Sequence, residues 1–414
     1  MKYDQVLIRF GDLMLKGKNK RTFIQLTTNL IKQNIKDLNI EMIKTHDRIY
    51  LKLNDTSHED ITKRLRRVSG VTSFSFVKVT DHHFENIIDV AVSLINHEVR
   101  EGSRFKIETK RAYKQFPMTS LEITKHVAPK ILSQITPKLK IDVKDPQETL
   151  HIEVREEATY IYLKSIKGLG GFPVGVGGKA SLLLSGGIDS PVSAYLTMKQ
   201  GIYLEGVHFE STPMTSIESI QKVIDIAKQL ALYTPKHQFH ILMVPFAKLH
   251  QAILKYVPDP YTITIMRRMM FRITERISEI RGSLAIVTGE SIGQVASQTL
   301  ESMQVIEDVS RIPILRPLLT YDKQEIINIS KAIETFNISI RPFEDCCSIY
   351  VPKAPTTKPT IKRSVLYEGY IPDYETLIEE AVLNTKEWII TPNSDIDVSL
   401  LGFTMLEAWE VINQ

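Results

Sequence analysis

Hydrophobic and polar positions alternate over residues 3–10, the period of a strand lying on a core. A polar turn, Gly11-Asp12, and a dense basic run, Leu15-Lys16-Gly17-Lys18-Asn19-Lys20-Arg21, lead into a helical spacing over 22–38, with apolar residues at 23, 26, 30, 31 and 35. Strand patterns at 48–53 and 73–79 flank a helix at 61–68. These elements predict a small α+β domain over residues 1–75. The pattern restarts near Asp81: a helix at 84–99, a strand at 104–109, a helix from Ser120, then strands at 139–143, 151–155 and 158–166. Residues 76–167 thus read as a second compact α/β module of the size that binds RNA or a ligand.

Residues 168–178 hold glycine too densely for regular structure and read as a linker. From 179 to about 400 strands and helices alternate. Strands are expected at 180–184, 202–209, 239–243 and 284–288, and helices at 191–200, 216–231, 247–256, 261–281 and 322–334. This βαβ order predicts a doubly wound parallel sheet with helices on both faces. The chain is therefore expected to be an α/β multidomain protein.

Charge sharpens the division. The 414 residues carry a net charge of +4, but residues 1–178 alone balance at +9 and the remainder at −5. A basic first part suits a polyanionic partner. No apolar run approaches the roughly 18 residues that span a bilayer, and residues 1–5 lack a signal peptide's apolar core. The two cysteines, Cys346 and Cys347, are neighbours and cannot staple distant segments, which excludes a disulfide-built secreted protein. A cytoplasmic protein is expected.

The most informative stretch is the apolar run Leu182-Leu183-Leu184 followed by Ser185-Gly186-Gly187-Ile188-Asp189-Ser190, with Pro191 opening a helix. Two glycines let backbone N–H groups approach an anion, and the helix N-terminus adds its dipole and its unpaired donors. Ser185 and Ser190 offer hydroxyls to phosphate oxygens. Asp189 repels phosphate unless a cation lies between them, which gives it an indirect role toward Mg²⁺. The Walker A spacing is absent. The glycines at 175, 177 and 178 precede a strand and so do not form a dinucleotide fingerprint.

The six-residue loop resembles the PP-loop of enzymes that adenylate a carbonyl oxygen and release pyrophosphate. The whole chain resembles the tRNA 4-thiouridine synthetase (tRNA sulfurtransferase) family. Residues 9–19 are similar to its N-terminal ferredoxin-like opening, 106–117 to its THUMP RNA-binding domain, and 288–298 to its ATPase domain. The resemblance implies an ATP site formed by Leu183, Leu184, Ser185, Gly186, Gly187, Asp189, Ser190, His208, Phe209, Arg267, Gly289 and Gln298, with Arg268 competing with Arg267. It implies that Lys323 helps stabilise phosphate charge and that Mg²⁺ accompanies ATP. Lys16, Lys18, Lys20, Arg21, Lys110, Arg111 and Lys114 are the candidate contacts to tRNA.

The resemblance also implies sulfur transfer through a cysteine, best matched by Cys346 with Cys347 one residue away, to position 8 of tRNA. A further role in thiamine synthesis belongs to the same family. Some members carry a C-terminal rhodanese domain, and no such segment is read before Gln414. A cysteine desulfurase is then the expected persulfide donor, directly or through a separate sulfur carrier. A homodimer is compatible with the sequence, which does not set the oligomeric state. The rival readings are a PP-loop amidating enzyme and a non-catalytic RNA-binding protein.

Overall fold

The computed structural model of the chain describes residues 2–45, 47–343, 352 and 354–412. Both cysteines lie outside the described residues. The chain forms two compact units, residues 1–171 and 172–414.

The first unit is built on one nine-stranded sheet. Its strands run in the order Glu41–Lys44, Ile49–Lys52, Gln5–Arg9, Ser73–Thr80, Thr159–Tyr162, Glu148–Val154, Arg104–Arg111 and Lys140–Ile141, and Ile166–Lys167 pairs with Ser73–Thr80. The strand Ser73–Thr80 joins the two halves: residues 73–77 pair antiparallel with 9–5, and residues 78–80 with 161–159. A sequence pattern cannot show this sharing, because one strand serves two cores. In the second half, helices Phe84–Glu98 and Ser120–Gln134 bury Ile87, Leu94, Ile123 and Val127 against Phe105, Leu150 and Ile152. Thr119 and Glu122 close a capping box on the second of these helices.

The glycine-rich stretch is more ordered than a loose linker. Gly168 and Gly170 donate their N–H groups to Thr72 and Val71 carbonyls in the first unit. Gly175 and Gly177 both donate to the Gly201 carbonyl in the second.

The second unit holds a six-stranded sheet in the order Ile314–Leu315, Ile286–Val287, Lys179–Leu183, Tyr203–Glu210, Phe239–Pro245, Lys386–Ile390. The four expected strands are parallel, and Ile314–Leu315, not expected, adds a fifth parallel strand beside Ile286–Val287. The sixth, also unanticipated, pairs antiparallel with Phe239–Pro245 and closes that edge. Side chains alternate between two cores. Leu182, Leu184, Phe239, Ile241 and Met243 face helices Asp189–Lys199 and Ile217–Ala231. Val207, Leu242 and Val244 face helices Ala247–Tyr256, Thr262–Arg281 and Tyr374–Leu383.

The chain leaves strand Lys179–Leu183 toward Tyr203–Glu210 on one side and later returns to its other side at Ile286–Val287. That reversal of strand order creates a crevice at the carboxyl ends of the strands, where open α/β sheets bind ligands.

Candidate active site

The loop at 185–190 lies at this crevice. Its helix begins at Asp189, two residues before the expected start at Pro191, and no side chain caps it. The serines close the loop instead. The Ser185 N–H donates to Ser190 Oγ at 3.0 Å, Ser190 Oγ donates to the Ser185 carbonyl at 3.0 Å, and the Gly187 N–H donates to Ser185 Oγ at 3.3 Å. Gly186 and Gly187 are absent from the residues with left-handed φ, so the turn does not require glycine for its dihedrals. What glycine supplies here is an unobstructed backbone. Ser339 Oγ donates to the Gly187 carbonyl from the far side at 3.1 Å.

Asp189 is held at both carboxylate oxygens. Lys323 Nζ donates to Oδ1 at 2.7 Å and Gln294 Nε2 to Oδ2 at 3.1 Å. Lys323 opens helix Lys323–Ala332 behind an Asp322–Glu325 capping box, which fixes its root. Gly289 meets the same loop closely: a Cβ there would lie 2.8 Å from the Ser190 nitrogen and 2.9 Å from the Asp189 carbonyl carbon.

Above the loop is a cavity of about 470 Å³. Of the twelve expected nucleotide contacts, all but Gly186 line it, and Gly186 is buried inside the turn. Lys323 reaches the site through Asp189. His208 is buried with Nδ1 3.0 Å from the Leu184 carbonyl, and Phe209 packs edge-on against Phe246 at 5.3 Å. The two arginines differ in packing. Arg267 lines the cavity, whereas Arg268 is fully buried, with Nε donating to Glu368 at 2.7 Å.

The sequence reading missed several lining residues. Ile263, Met270 and Phe271 share a helix face with Arg267, and their spacing from Arg267 of four, three and four residues was the available signal. Glu290, Val295, Ala296 and Ser297 lie within the segment 288–298 already singled out. Glu290 is almost completely buried. Burial pushes its carboxyl up, but Arg267 and Arg316 outweigh this and hold it below the usual carboxylate range.

Asp189 and Glu290 are the two carboxylates among the described lining residues, and Glu290 is committed to its arginines. A Mg²⁺ held mainly by a bound triphosphate would find Asp189 as the lining carboxylate not committed to buried arginines, and would compete there with Lys323 and Gln294.

In the first unit Lys16, Lys18, Arg21, Lys110 and Lys114 are exposed and Lys20 is half-buried. Arg111 differs from them: its guanidinium donates to the carbonyls of Lys114 and Phe116 at 3.3 and 3.1 Å, so it shapes the turn that presents Lys114. Among the described residues no helix is long and apolar enough to cross a membrane.

Comparison with known proteins covers the chain domain by domain. Residues 5–75 match a model described as the ThiI ferredoxin-like domain, 81–164 the THUMP domain, and 175–370 the thiamine biosynthesis protein (ThiI). The chain is 51% identical to a probable tRNA sulfurtransferase of Acholeplasma laidlawii over 97% of each chain. It is 46% identical to one of Geobacillus over 95% of this chain and 98% of that one. A crystal structure of a 4-thiouridine synthetase–RNA complex with bound ATP superposes with a TM-score of 0.83 at 34% identity, covering 94% of this chain and all of that one. The chain belongs to the tRNA sulfurtransferase (ThiI) family.

Proposed function

We propose that this protein is an ATP-dependent tRNA sulfurtransferase that makes 4-thiouridine at position 8 of tRNA. The observation that carries the reading is the convergence of the 185–190 loop, Gly289, Arg267 and Gln298 on one cavity at the sheet's switch point. ATP would lie with its adenosine between Leu183, Leu184, His208 and Phe209 and its phosphates on the loop. The N–H groups and helix N-terminus at Asp189 would meet the phosphates. Mg²⁺, when bound, offsets phosphate charge.

The uridine O4 attacks the α-phosphorus and pyrophosphate leaves. The terminal persulfide sulfur then attacks C4 and AMP departs with the former O4. A second thiol attacks the carrier sulfur, breaking the S–S bond to release 4-thiouridine and leaving a disulfide that an external thiol reduces. Lys323, already at Asp189, is placed to take up phosphate charge. Cys346, with Cys347 as its neighbour, is the proposed sulfur carrier, and a cysteine desulfurase the donor. The basic, exposed lysines of the first unit would hold tRNA by its backbone. The matched family's description supports a further role of this sulfur in thiamine synthesis.

A family relationship over nearly the whole chain favours this reading over an amidating enzyme, which would leave the first unit without a task. An intact, internally bonded loop speaks against a non-catalytic relic. The test is nucleoside mass spectrometry of tRNA after incubation with the protein, ATP, cysteine and a desulfurase. 4-Thiouridine should appear only with ATP and should vanish in Cys346→Ser if that thiol is the carrier, with trapped persulfide read on Cys346→Ser and Cys347→Ser variants. Thiolation without ATP would overturn the proposal.

A further inference from the structure

The wall of the cavity contains a buried ionic chain that the proposed nucleotide contacts do not account for. Glu290 immediately follows Gly289, so one strand end delivers both the glycine that packs on the loop and this carboxylate. Glu290 Oε1 lies 2.6 Å from Arg267 Nη2. Its other oxygen, Oε2, accepts from Arg316 Nε at 2.7 Å and from Thr288 Oγ1 at 2.9 Å. Arg316 in turn reaches Glu307 at 2.7 Å.

Oε1 is buried and accepts no aligned hydrogen bond among the described residues, so its tie to Arg267 is ionic rather than directional. Arg267 has one further bond, from Nη1 to Ser297 Oγ at 3.3 Å. A guanidinium carries five N–H donors, and these two contacts leave others for a ligand.

We propose that Glu290 is a positioning residue for nucleotide binding: it holds the Arg267 guanidinium at the cavity wall, and Arg316 and Thr288 hold Glu290. A free arginine must lose much of its rotamer freedom when it meets a ligand, and an arginine already fixed by a buried charge loses less. Arg316 has a second function in this chain. It compensates Glu290 so that the carboxylate stays ionised although buried, which a single cation at the cavity rim would do less completely. The inference rests on the proposed ATP site.

The test is equilibrium binding of Mg-ATP to the full chain by calorimetry, for wild type, Arg267→Met, Glu290→Gln and the double variant. Gln keeps the shape and removes the charge, so ATP should bind about tenfold more weakly, with tRNA affinity unchanged. Because Glu290 acts through Arg267, the double variant should bind no more weakly than Arg267→Met alone. Glu290→Asp keeps the charge and should lose less affinity than Glu290→Gln. If Glu290→Gln fails to fold, the same cycle is run with Glu290→Asp.

An affinity within twofold of wild type for Glu290→Gln, or losses that multiply in the double variant, would overturn the inference. Failure of wild type to bind ATP would instead overturn the nucleotide site itself.

Discussion

At the amino end of the parallel sheet, Glu205 lies between Lys179 at 2.8 Å and Arg281 at 2.8 Å. At the carboxyl end, Glu290 lies between Arg267 at 2.6 Å and Arg316 at 2.7 Å. Both are buried carboxylates bracketed by two cations. At the amino end the cluster is completed by Glu387, which meets Arg281 and His240 at 2.6 Å each. Ligand atoms of Glu205, His240 and Glu387 come within 4.8 Å of one another, a spacing that could suit a metal. Lys179 and Arg281 already supply the two positive charges an ion would bring, so the cluster is an ionic latch between strand, helix end and edge strand.

At the carboxyl end one of the two arginines borders a cavity, beside the loop at 185–190 and the helix N-terminus that follows it. A buried ion network therefore says little about function by itself. The accompanying cavity and strand-order reversal make the difference.

This contrast can be broken from either side. The largest effect is expected for Asp189→Ala, which removes the carboxylate that Lys323 and Gln294 hold. Thiolation should fall on the order of 1,000-fold while a gel-shift assay shows tRNA affinity unchanged. Gly289→Ala places a methyl against the Ser190 nitrogen and must push the loop out of place, so turnover should drop about 100-fold. At the opposite end, Glu205→Gln should leave the turnover of folded protein at the wild-type level and lower stability by about 3 kcal/mol in urea titration. If that variant lost turnover selectively, the two ends could not be separated in this way.

Acid titration gives the smallest and sharpest of these contrasts. Burial pushes the Glu205 carboxyl up, but Arg281 and Lys179 outweigh it and hold it below the usual range. Stability from a depressed carboxyl is complete above the ordinary glutamate pKa and is lost as pH falls toward the folded-state value. The gap in urea midpoint between wild type and Glu205→Gln should therefore hold steady from about pH 7 to about pH 4.5 and narrow as the pH falls further. Parallel curves would contradict the ionic account.

The sequence made the parallel order and the strand–loop–helix turn at 185–190 legible because both are local: a run of apolar residues, then Ser185 to Ser190 before a helix. The same holds for Gly289 and Gln298, carried by a distinctive segment. What stayed hidden depends on partners far along the chain. The antiparallel strand Lys386–Ile390 takes its place only by pairing with Phe239–Pro245. The distinction between Arg267 and Arg268 is one of helix face, decided by Glu368 a hundred residues away. Arg111 looks like any surface cation until its bonds to the turn at 114–116 are seen. The helix start at Asp189 was misplaced because the serines bond across the loop rather than capping the helix.

The central claim, that this cavity activates tRNA at the expense of ATP, is tested most directly by pyrophosphate release from ATP with and without tRNA. The account predicts release, with AMP, only when tRNA is present, and none from Asp189→Ala. Release at the same rate without tRNA, or release driven by ammonia and a small carboxylic acid, would contradict it.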